Sequence, residues 1–277
     1  RWIGFWGLGL GLVLVTVGLA ASTLHRRRPE RAWRAFSQWR SSWLSREGVL
    51  AVLTYLPALA LFLGWVVYQK VWPLAALLTA AGAVATVICT AMIYASLKPI
   101  ARWHTPWVPV SFLALALASG SLLAAAVATA FGPRLPALIL LAALAALAAW
   151  LTKLAYWHET DAARGPATIG TATGLEAFGR VRLLEPPHTA GNYLTHELGF
   201  RIARKHATRL RGLALCLGAL VPLTAAVLAL AAEPGWLKVL LAFLAAAAGL
   251  AGALIERWLF FAEARHTAML YYGAETA

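Results

Sequence analysis

The chain is 277 residues long, 61% hydrophobic and only 13% charged, with a mean hydropathy of +0.71. A water-soluble domain carries about 25% charged residues, so a soluble globular protein is excluded. The net charge of +13 does not point to nucleic acid, because the basic residues flank apolar runs longer than the ~18 residues that mark a membrane span.

The expectation is an all-α fold: one polytopic transmembrane helical bundle over residues 1–277, with seven visible spans. Span one is 2–24, ending in His25-Arg26-Arg27-Arg28. The chain starts at Arg1 with the span beginning at once, so a preceding helix is expected, making eight. Residues 30–44 set Trp33, Phe36, Arg40 and Trp43 three or four apart, which reads as an amphipathic helix in the headgroup layer; an irregular loop with snorkelling side chains is the alternative. Span two is 47–68 with a kink at Pro57. Span three is 73–96. The turn 97–107, with two prolines and two tryptophans, reads as a rigid interfacial connection. Span four is 108–131, where Ser119-Gly120-Ser121 suits close helix approach. Span five is 136–157, with Lys153 one turn from its end and expected to snorkel. Residues 158–209 form a long polar insert, span six is 210–231 and span seven is 236–259, with an extension through 260–272 open.

Alternation of the spans sorts the charges. Side two holds only Arg1, Lys70, Arg134 and Lys238; every other arginine and lysine except Lys153 falls on side one with the Arg26 loop. Basic loops mark the cytoplasmic side, so side one, including the 158–209 insert and the C-terminus, is expected there.

Cys89 and Cys216 lie far apart inside apolar segments, which excludes an iron–sulfur site in this chain. All seven histidines fall on side one and none at mid-membrane, against a haem held between helices, and their spacing lacks a zinc pattern. His25 and Glu47 lie at the same membrane face, where an imidazole can hydrogen-bond a quinone carbonyl and a carboxylate can move the accompanying proton. The plainer readings are an interfacial histidine and a first-turn carboxylate favoured by the helix dipole. Arg257, next to Glu256, reads first as a structural arginine paired with a carboxylate or a lipid phosphate. His104 reads first as a turn-stabilising residue.

The run Leu24-His25…Pro29-Glu30-Arg31-Ala32-Trp33, then Leu44-Ser45-Arg46-Glu47, resembles the membrane anchor subunits of DMSO reductase-type molybdoenzymes, and Glu256-Arg257…Phe260…His266-Thr267-Ala268-Met269 resembles their last helix. The resemblance implies an eight-helix bundle without haem that exchanges electrons between a quinone pool, ubiquinone or menaquinone, and a four-cluster iron–sulfur subunit. That subunit serves a molybdopterin catalytic subunit, which holds molybdenum–bis(molybdopterin guanine dinucleotide). The family's quinol-site histidine falls on His25, its linked glutamate on Glu47 and an arginine on Arg31; His104 and Arg257 join them as candidate quinone-binding residues. The arginine run and the polar insert look like the branch attached to cytoplasmic, quinone-dependent sulfite dehydrogenases. The expectation is therefore a multi-pass anchor in the bacterial inner membrane, its partner-binding face cytoplasmic, passing electrons from sulfite oxidation to quinone. A quinol-oxidising anchor of a DMSO or polysulfide reductase, a purely structural anchor and a secondary transporter are the alternatives.

Overall fold

The computed structural model describes residues 1–24, 29–132, 135–162, 167–185 and 201–272, and every element among them is helical. Seven helices are long and apolar enough to cross a membrane: α1 Trp2–Leu24, α2 Trp43–Val66, α3 Pro73–Ala95, α4 Trp107–Phe131, α5 Pro136–Ala162, α6 Ala207–Ala231 and α7 Trp236–Ala262. At 1.5 Å per residue each exceeds the ~30 Å hydrocarbon layer. A helix suits that layer because it satisfies its backbone polar groups internally.

Local chemistry explains where the helices start. Proline occupies the first position of α3 and α5, where no backbone donor is needed. The Ser42 hydroxyl caps α2 by accepting from the Ser45 N–H, and the helix then runs on through Pro57. Arg46 ties down the chain before α2, donating to the carbonyls of Trp39 (3.0 Å) and Arg40 (2.6 Å) while its guanidinium lies over Trp43.

The helices form two four-membered circuits that share α4. One runs α1–α2–α3–α4 and the other α4–α5–α6–α7, each closed by packing back onto α4. The α4–α7 circuit is lined with alanine: Ala142, Ala146, Ala149, Ala226, Ala229 and Ala246 are almost fully buried. Lipid is as apolar as leucine, so small residues that let backbones approach decide which helices adhere. Closest approach falls at Gly218 and Gly252. A Cβ at Gly252 would run into the Gly218 backbone, and one at Gly218 would overlap the Trp150 ring. Gly218 sits in a π-helical stretch of α6, Cys216–Leu220.

Several expectations are corrected. Gly120 faces open space and the Ser119 hydroxyl turns back to the Leu115 carbonyl, so Ser119-Gly120-Ser121 is not a close-approach site. The headgroup-layer helix is shorter than 30–44: a 3₁₀ helix covers Pro29–Phe36, held to α2 by Phe36 against Gly48. α7 does not run on to Tyr272. It stops at Ala262 because Arg204 takes the carbonyls of Ala262 and Ala264, the Thr267 N–H bonds the Pro99 carbonyl, and only a short Ala268–Tyr271 helix follows. The polar insert is shorter than 158–209, since α5 runs to Ala162 and α6 starts at Ala207. His25, Arg26–Arg28 and the insert residues 163–166 and 186–200 lie outside the described residues.

Candidate functional site

The ends of the bundle where α2, α4 and α6 begin are pinned by an alternating charge cluster. Arg102, on the turn after α3, pairs with Asp161 of α5 (2.6 Å) and Glu263 beyond α7 (3.3 Å). Arg211 of α6 pairs with the same two carboxylates, at 2.5 and 2.7 Å. Four segments are thereby joined at one level. Arg204 docks just beyond, where burial and the nearby Arg265 pull its guanidinium below the ordinary arginine range.

Inward from that cluster, α3 and α7 both pack on α4 but belong to different circuits. Between them lies a cleft of about 230 Å³, lined by residues that include Val87, Thr90, Phe112, Ser119, Ala253 and Arg257. Ring-sized ligands fit this volume; it is smaller than the ~300–1,000 Å³ typical of drug-sized pockets. On one wall, Thr90 Oγ1 donates to Glu47 Oε1 at 2.6 Å, bringing the α2 carboxylate to within one residue of the cleft. On the other, Arg257 donates from Nε and Nη2 to both oxygens of Glu256, at 2.5 and 2.8 Å. Its guanidinium lies 4.2 Å from the Phe112 ring centroid and 4.7 Å from that of Phe260, favourable cation–π geometry. The remaining nitrogen, Nη1, is sealed from solvent and has no acceptor among the described residues. Tyr94 sits between the walls: Glu47 and Arg257 both act on its hydroxyl electrostatically, and its ring meets Phe112, Trp103 and Phe260.

Lys153 does not snorkel. Because α5 continues to Ala162, Lys153 lies deeper than a helix ending at 157 would place it. Its side chain is 1% exposed, with Nζ 2.5 Å from Glu256 Oε1 and 3.6 Å from the Tyr156 ring centroid. Glu256 is fully buried and is shared by both cations. The Tyr156 hydroxyl donates to the Arg102 carbonyl, linking this triad to the surface cluster.

The structure thus brings two of the candidate residues, Glu47 and Arg257, to facing walls of one cleft. Arg257 is paired with a carboxylate, as its structural reading anticipated, yet it also lines the cleft. His104 is exposed, with Nδ1 2.7 Å from the Ala95 carbonyl, and it does not line the cleft. Arg31 is exposed on the 3₁₀ helix. Thr90, Phe112, Tyr94 and Lys153 were not singled out from sequence as site residues. A signal existed for Lys153: a lysine in one apolar run and a glutamate in another are each expensive unless they meet.

The DMSO reductase anchor subunit (DmsC) family model matches residues 7–273. The C-type subunit of the sulfite dehydrogenase of Allochromatium vinosum is 34% identical over 286 residues, an alignment covering 97% of this chain and 86% of that protein. No solved structure matches. A family match across nearly the whole chain, with a relative at this identity, means that the chain belongs to the DMSO reductase anchor subunit family.

Proposed function

We propose that this anchor subunit binds a quinone headgroup in the cleft between α3, α4 and α7 and passes it electrons from sulfite oxidation. The electrons arrive through an iron–sulfur subunit docked at the basic end of the bundle, which a molybdopterin catalytic subunit supplies. In this reading the protein sits in the bacterial inner membrane with that end in the cytoplasm, as the arginine distribution requires. The observation that carries the reading is the Arg257 Nη1 donor, buried without an acceptor at the wall of a ring-sized cleft. A quinone carbonyl supplies the missing acceptor. The opposite carbonyl faces Thr90, behind which Glu47 can receive or return a proton. His25, at the foot of α1, and Arg31 belong to the rim by resemblance. His104 serves the turn rather than the ring.

A second reading has the same cleft oxidise quinol for a reductase, and the description of the matching family favours it. One preparation separates the two. The purified complex, given sulfite and a short-chain quinone, should reduce the quinone. Failure to do so, combined with quinol-driven reduction of DMSO, restores the reductase. Within either, Arg257→Gln should lower quinone turnover about tenfold or more, the order of a hydrogen bond to a charged donor, while dye-linked activity of the partner stays intact. Unchanged turnover would remove Arg257 from the site.

A further inference from the structure

By itself, a neutral Lys153–Glu256 pair would tie α5 to α7. Arg257 adds a third charge to the same carboxylate, 2.5 Å away. Together the three groups carry a formal charge of +1 among helices and aromatic rings rather than water, where an unbalanced charge is costly. Lys153 and Arg257 both lie over Phe260, 5.7 and 4.7 Å from its centroid, so they are no more than about 10 Å apart. Arg257 is the member that reaches the cleft, its side chain 25% exposed and its Nη1 unused. An unbalanced cation and an idle donor on one side chain call for the same occupant, an electron-rich oxygen. The carboxylate of Glu47 opposes this field only from behind Thr90, since Glu47 does not line the cleft.

We propose that the cleft selects an anionic oxygen, and that the net charge of Lys153, Glu256 and Arg257 is the source of the selectivity. The inference rests on the quinone reading and adds the charge state that the Arg257 wall prefers: reduction puts negative charge on a quinone oxygen, and the triad favours it there before a proton arrives. Arg257 touches the ligand. Glu256, which holds the guanidinium, and Lys153, which acts through its field, are positioning residues.

The test uses the intact complex in detergent and two probes. 2-Hydroxy-1,4-naphthoquinone is an anion at neutral pH; its 2-methyl ether is uncharged. Equilibrium binding to the wild type should favour the anion by about tenfold or more. Lys153→Met should narrow that preference about tenfold, the order expected when a unit charge is lost at roughly 10 Å with an effective dielectric of about 20. Glu256→Gln should widen it. The double variant restores the net charge and should return the preference towards wild type, which a purely structural role would not do. Equal affinity for the two probes, or a preference unmoved by Lys153→Met, overturns the inference and leaves the quinone reading standing. Binding of neither probe to the wild type overturns both. Should Lys153→Met fail to assemble, the wild-type comparison alone still decides.

Discussion

The circuit of α4 to α7 and the circuit of α1 to α4 share a helix and little else. In α7 buried positions recur from Lys238 to Ala262, including Glu256, whereas α1 buries only Gly4 and α3 only Cys89 and Ala91. The α4–α7 circuit is held by glycine–glycine approach, buried charge and an ion cluster at its end. The α1–α4 circuit is held by lighter contacts, such as the Tyr55 hydroxyl on Thr16 Oγ1 at 2.8 Å. The cleft lies on the seam, so its cationic wall is fixed by dense packing and its Thr90–Glu47 wall belongs to the looser half. A rigid wall can hold a donor in place without an acceptor, while the looser wall can adapt as a ligand enters.

This contrast can be broken most forcefully at Glu256. Glu256→Leu leaves Lys153 and Arg257 facing each other without their carboxylate and should destabilise the subunit by about 3–5 kcal/mol, read by denaturant titration in micelles. A stability within error of wild type would mean that the triad is not what secures α5 to α7. Next in size is overpacking. Gly252→Val forces a side chain into the Gly218 backbone and should cost about 1–3 kcal/mol. In the looser circuit, Gly82→Ala meets only the Thr54 side chain, which can turn, and Gly120→Ala meets nothing. Thermal melts should therefore rank Gly252→Val far below Gly82→Ala and Gly120→Ala, and a uniform loss across all three would erase the distinction between the halves.

A smaller effect is expected at the surface cluster. Arg211→Ala removes two ion pairs, but their members are 8–43% exposed, so the cost should be no more than about 1 kcal/mol and should shrink as salt is added. Insensitivity to salt would show that the cluster is screened by something other than water. The smallest effect belongs to Tyr55→Phe, which deletes one interhelical hydrogen bond worth about 0.6 kcal/mol in a membrane protein. A larger loss there would show the α1–α4 circuit to be tighter than its burial suggests.

Much of this was legible in sequence. The seven spans follow from composition and from the length needed to cross lipid, and their boundaries fall near the predicted ones because proline, tryptophan and arginine collect at interfaces. The start of α2 near Glu47 was readable from the charges before it, and Arg257 pairing with a carboxylate was readable from Glu256 beside it. Packing was not readable. In lipid every apolar face is equally content with solvent, so nothing in the hydropathy of α3, α4 or α7 says which helices meet. Gly218 and Gly252 became contacts while Gly120 did not, although all three are glycines in apolar runs. Thr90 joined Glu47 to the cleft across 43 residues of sequence, and Lys153 found Glu256 rather than the membrane surface. Those pairings arise only when two helices are brought side by side, because a buried charge or hydroxyl is stable there only once its partner has arrived from elsewhere in the chain.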